Sequence, residues 1–213
     1  MPVKSNQITA GGKAALDALC RRYWPVIISQ HHSTSFSNTG LLGEAMAKGR
    51  TAKPFVLSEA LLDSFATNER INQYLIENLD DVAWRAEPPG GKGRTAAAIV
   101  AHMHNVRVMW LKAAAKGSDI PDQIDRHTVT RTQAIEGMRV SYEAIAALLR
   151  SALESDGKIK GFRPDVAGFI GYLISHDAHH RGQLTMLARQ AGHPVSQKVM
   201  FGMWEWGSRG KAD

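Results

Sequence analysis

One cysteine, Cys20, stands in this chain of 213 residues, so an intrachain disulfide is excluded. Cys20 itself is expected to be a bystander, since no nearby base is identifiable that would turn it into a nucleophile. Long apolar runs are missing too: nothing approaches the roughly 18 residues that span a bilayer, and the N-terminus lacks the apolar segment of a secretory signal. A soluble cytoplasmic protein with no membrane partner is therefore expected. There is no convincing alternating strand, no internal repeat and no sustained heptad. The breaker-rich stretch Pro88-Pro89-Gly90-Gly91 has no Gly-Lys-Ser/Thr ending, which excludes a phosphate-binding loop of that type.

Acidic residues are also scarce, but locally. The chain carries a formal net charge of +6, and residues 1–54 hold seven of its 26 Lys/Arg against two of its 20 Asp/Glu. Nearly all the excess thus sits on an N-terminal extension, and the remainder is close to neutral. Without a basic stripe on any one element, a nucleic-acid partner is not expected. The extension offers a short helix around Lys13 to Tyr23 and then the Ser-rich stretch from Gln30 to Gly40, with the adjacent pair His31-His32, a composition that favours loop. It reads as a basic docking segment or as an artefact of an early start, with Met46 the true beginning.

Helical periodicity begins near residue 55. A first helix over Leu57 to Leu79 has Leu61, Phe65, Leu75 and Leu79 on one stripe and Ser58 as its expected cap. Asn68 and Asn72 interrupt that stripe, either lining a polar pocket or bonding each other at the helix margin. Asp80 to Arg94 is expected to be loop. The second helix covers Thr95 to Lys116. Thr130 to Gln133 fits a capping box for a third helix that runs to about Glu154, and Pro164 starts a fourth that ends at Gly192. A tail with Met200, Phe201, Met203, Trp204 and Trp206 is expected to cap the bundle end. The expected organisation is an extension (1–54), an all-α four-helix bundle (55–206) and a short tail (207–213).

The chemistry lies in the fourth helix. At about 100° per residue, His176 and His180 fall roughly 40° apart on its surface, so both rings can meet one ion. Val166, Phe169, Leu173, Leu184 and Leu187 cluster around His180, whereas His179 lies roughly 60° beyond His176, toward the rim. Paired imidazoles in an interior are costly unless bonded or ligated. In the second helix, His102 lies with the stripe of Ile99, Val106, Met109, Trp110 and Ala113, while His104 points the other way, with Arg107 and Leu111. His102 is thus the third candidate ligand. No inward carboxylate offers a fourth, which favours an open coordination position.

The sequence Ala101-His102-Met103 in an amphipathic helix, followed by His176-x-x-x-His180-Arg181-Gly182-Gln183, resembles the DinB/YfiT-like superfamily of metalloenzymes over roughly residues 55 to 205. The resemblance implies a four-helix bundle with a divalent metal, often zinc or nickel, on residues matching His102, His176 and His180. Some members are thiol S-transferases that use bacillithiol, mycothiol or glutathione, among them a mycothiol-dependent maleylpyruvate isomerase.

Two readings follow from these residues. In the first, a metal on three neutral imidazoles keeps its full charge and draws the pKa of a bound thiol or water toward neutrality. A thiol would make the protein an S-transferase acting on a small electrophile, and water would make it a hydrolase. Asp177 is a candidate partner behind a ligand imidazole, His179 and Gln183 are candidate substrate contacts, and Arg181 is either a surface arginine or the attractor of an acidic thiol. In the second, the ion is structural and the protein a binding module, dimerising through one bundle face.

Overall fold

A computed structural model describes residues 54–115 and 119–210. The expectations for Cys20, the His31-His32 pair and Met46 lie outside the described residues. Within them the helices are α1 (Leu57–Glu77), α2 (Asp81–Arg85), α3 (Ala96–Ala114), α4 (Arg131–Leu153), α5 (Val166–Gln190), α6 (Gln197–Gly202) and α7 (Trp206–Arg209). No strand forms among the described residues. None of these helices is long and apolar enough to cross a membrane.

Local chemistry sets most boundaries. Free N–H groups at a helix start need an acceptor. Thr95 supplies one to Ala98 N at 3.2 Å, Asp165 to Gly168 N at 2.9 Å, and Thr130 and Gln133 form the reciprocal box expected of them. Gly192, with φ 80°, lies just beyond α5, where a left-handed residue stops a helix cheaply. Two expectations fail. Ser58 is not a cap: α1 begins a residue earlier, behind Val56, which makes no side-chain cap bond. The stretch after Asp80 is not all loop, because Asp80 accepts from Val82 N at 2.8 Å and nucleates α2, burying Ala83 and Trp84.

The four long helices, α1, α3, α4 and α5, form the bundle, with α1 and α3 each flanked by both α4 and α5. Directions follow from side-chain pairs. Gln73 of α1 donates to Ile135 O of α4, and Phe65 rests 5.4 Å from Tyr142, so these two helices are antiparallel. His104 of α3 meets Gly137 O of α4, and further on Leu111 and Ala114 share a hollow with Ala144 and Leu148, so these two are parallel. Trp110 lies 5.2 Å from Phe169 and His102 lies 4.9 Å from His180, which sets α5 antiparallel to α3. The order is therefore up, down, down, up.

A parallel pair needs a connection that travels back along the bundle. Residues 119–130 do so, pinned to α3. The Asn105 amide brackets Ile124, donating to its carbonyl and accepting from its N–H, each at 2.9 Å. His104 places one ring nitrogen 2.7 Å from Gly137 O and the other 2.8 Å from Asp122 O.

This crossover corrects the reading of α3. His104, Arg107 and Leu111, assigned to the outer side, are each about 1% exposed, whereas Met109 and Ala113, assigned inward, are exposed. A helix contacted by α4, α5 and the returning strand of chain buries more than one stripe, so a single-face assignment rotates its polar residues wrongly. The tail departs from expectation as well: α6 and α7 lie along the flank between α1 and α5. There Met200, Met203, Trp204 and Trp206 share a hollow with Ile71, Ile174 and Ala178, and the Arg209 guanidinium stacks 3.6 Å above Tyr74.

Candidate metal centre

Antiparallel α3 and α5 bring His102 level with His176 and His180, and one ligand nitrogen from each ring lies within 4.8 Å of the others. His180 is buried, while His102 and His176 are partly exposed. His179 is exposed, as its angle on the helix requires, and His104 is spent on the crossover. Among the described residues no other cluster of His, Cys, Asp or Glu is placed to hold an ion.

The protonation pattern follows from the partners. Gln183 Oε1 lies 2.8 Å from His180 Nδ1, and an amide oxygen only accepts, so Nδ1 carries the hydrogen and a neutral ring presents its lone pair at Nε2. Burial, the largest influence, lowers the His180 pKa, and the neighbouring His176 adds to it against the raising effect of Gln183. His102 is held down to about 4, first by burial, then by Arg94, His180 and His176. His180 Nε2 faces His176 Nε2 across 3.2 Å. Tetrahedral zinc with Zn–N near 2.0–2.1 Å separates its ligand nitrogens by about 3.3 Å. The donor set and its spacing therefore fit a divalent ion.

Behind the rings lies a buried polar network that joins Asp177, Arg181, Asn68 and Asn72, all singled out in the sequence, to Glu69 and Arg107, which were not. Arg107 of α3 donates from Nη2 to Glu69 at 2.6 Å and to Asp177 at 2.9 Å, and from Nη1 to Met138 O at 3.1 Å. Asp177 Oδ2 also accepts from Asn68 at 2.7 Å and Asn72 at 2.9 Å. Burial raises the Asp177 pKa, but the Arg107 charge and these bonds outweigh it and hold the carboxyl well below the usual range. The other oxygen, Oδ1, stands 3.6 Å from His176 Nδ1, so Asp177 sits behind that ring.

Asn68 and Asn72 are thus neither a marginal pair nor a pocket lining. They are buried, and each splits its amide, donating to Asp177 while accepting from Arg181. Arg181 is accordingly not a surface arginine, since its guanidinium donates to Asn68 Oδ1 at 2.7 Å. Two arginines and two carboxylates balance within this network, as burial of charge requires. The interruption of the α1 stripe at Asn68 and Asn72 was its signal in the sequence. Glu69 and Arg107 gave none, because a charged residue on a helix is ordinarily solvated.

Beside the histidines opens a cleft of about 470 Å³, lined by Pro88, Arg94, Ile99, Gln183, Met186 and Leu187 among others. Gln183 joins the two regions, with its amide on His180 and its flank on the cleft.

Comparison with known proteins agrees with this geometry. The model of the DinB family matches residues 50–203. A crystal structure of a DinB-like protein from Bacillus cereus ATCC 10987 superimposes with a TM-score of 0.53 and 26% identity, over 65% of this chain and 95% of that one. Among curated proteins nothing matches.

Proposed function

The chain belongs to the DinB family, and on that premise we propose that it is a metal-dependent enzyme whose site activates a low-molecular-weight thiol for transfer to a small electrophile. The observation that carries the metal is the approach of two imidazole nitrogens to 3.2 Å, with Gln183 holding the proton of one ring on its far side. His102, His176 and His180 would hold the ion, zinc or nickel by the chemistry of the donors. When bound, such an ion draws the pKa of a thiol toward neutrality.

The chain's own residues do the rest. Gln183 fixes which nitrogen His180 presents, and the Asp177 carboxylate lies behind His176. The open cleft gives a small molecule access from one side. Three ligands without a fourth among the described residues suit a site that keeps a position for substrate.

The test is elemental analysis of untagged protein, wild type and His180→Ala, followed by assay of electrophile consumption. Near one divalent ion per wild-type chain, lost in the variant, with consumption that requires both metal and added thiol, is expected. Consumption without thiol would replace the transferase with a hydrolase. Bound metal with no turnover under any thiol would make the chain a binding module.

A further inference from the structure

The cleft beside the histidines has an arginine, Arg94, without a partner among the described residues. Arg94 lies just before the Thr95 cap of α3, at the end of a loop whose shape its glycines set. Gly93 has φ 126°, and a Cβ there would press to 3.2 Å on the Pro88 ring. Pro88 and Gly93 line the cleft together with Arg94. Arg94 is exposed, and no hydrogen bond or ion pair holds it among the described residues. Arg85, Glu87 and Arg126 share an adjoining recess with it, and Glu87 makes no ion pair among the described residues.

The cleft nonetheless adjoins the site, because Gln183, whose amide lies 2.8 Å from His180 Nδ1, lines it together with Arg94. The same cleft is lined by the apolar side chains of Ile99, Leu187 and Met186, the last 58% exposed, along with Gln183 and Gln190. The one cation among the residues that line this cleft, set beside apolar side chains, is matched by an amphipathic anion.

We propose that Arg94 binds the carboxylate of the small molecule this cleft receives, with the apolar body of that molecule lying on Ile99, Met186 and Leu187 and its reactive end toward the three histidines. The inference rests on the proposed function for that reactive end. It moves the role of anion receptor from Arg181, which is engaged with Asn68 and Asn72, to Arg94.

The experiment titrates metal-loaded protein with hexanoate and with its uncharged isostere hexanamide, following the Met186 methyl resonance, for wild type and Arg94→Gln. Saturable binding of hexanoate is expected, with roughly tenfold weaker binding of hexanamide and the same roughly tenfold loss for hexanoate in the variant, the size of one charge-assisted bond. Melting temperature and metal content should not change in Arg94→Gln, which separates a ligand contact from a structural role. Equal binding of the two probes, unchanged affinity in Arg94→Gln, or no binding overturns the proposal. Repetition after chelation separates it from the reading it rests on. Arg94-dependent binding that survives metal removal upholds the anion site even if thiol transfer is never found. Binding that ignores Arg94 and vanishes with the metal places the carboxylate on the ion and removes the anion site alone.

Discussion

Asp177 and Arg107 meet at 2.9 Å in the middle of the bundle, both side chains at most 2% exposed, one residue along the chain from His176. The helix surface carrying two candidate ligands thus turns its next residue into a buried ion pair. The same pair ties α5 to α3, and through Glu69, Asn68 and Asn72 to α1. Because charge in the interior is tolerated only when paired, the network fixes how these helices face one another.

Breaking that pair should be costly. Arg107→Met leaves two buried carboxylates, Glu69 and Asp177, with Arg181 as the one remaining cation of the network and is expected to destabilise the protein by about 3–5 kcal/mol, read as a lowered urea midpoint. Arg139 pairs with Glu136 and Glu143 at shorter distances but on the surface, where water screens it. Arg139→Met should therefore move the midpoint very little; an equal shift in both variants would contradict burial as the deciding factor.

Metal stoichiometry should separate the histidines. His176→Ala and His180→Ala are expected to lose most of the bound ion. His179→Ala should keep it, because that ring, though 5.0 Å from His180, is exposed and is not one of the three whose ligand nitrogens converge. His104→Ala should also keep it, yet lose about 2 kcal/mol of stability, because the buried ring that links Gly137 O to Asp122 O is gone, and one hydrogen-bond donor with it. Elemental analysis and thermal melts on the same four samples check all of this.

Gln183→Leu removes the acceptor that orients His180 while preserving volume. Metal affinity should fall by roughly 10- to 100-fold, measured by competition with a chromophoric chelator. Unchanged affinity would show that the His180 ring needs no such support.

Acid should destabilise the metal-free protein through these rings. His102 titrates near 4 when folded, against an ordinary value of 6.5, and the His180 pKa is lowered too. Between pH 6.5 and about 4 the unfolded chain therefore binds protons that the folded chain refuses, so stability falls as pH falls through that window. Chemical denaturation of chelated protein at stepped pH, for wild type and His102→Gln, should show the loss in wild type and a smaller loss in the variant.

What the sequence determined by itself is what depends on near neighbours along the chain. Helical periodicity gives the long helices, and the Thr130 box and the Gly192 stop were legible because a helix end is satisfied within a few residues, although the cap expected at Ser58 was not formed. The His176, His180 pairing is legible for the same reason, being a matter of one helical turn. Only the tertiary structure decided what surrounds α3. The crossover packs on the side that periodicity assigned to solvent, so His104, Arg107 and Leu111 are buried there, and His102 qualified as a ligand on a partly mistaken face. The same holds for Glu69, Arg107 and Arg181. Whether a charge is solvated or paired depends on a partner many tens of residues away, and no local pattern carries that information.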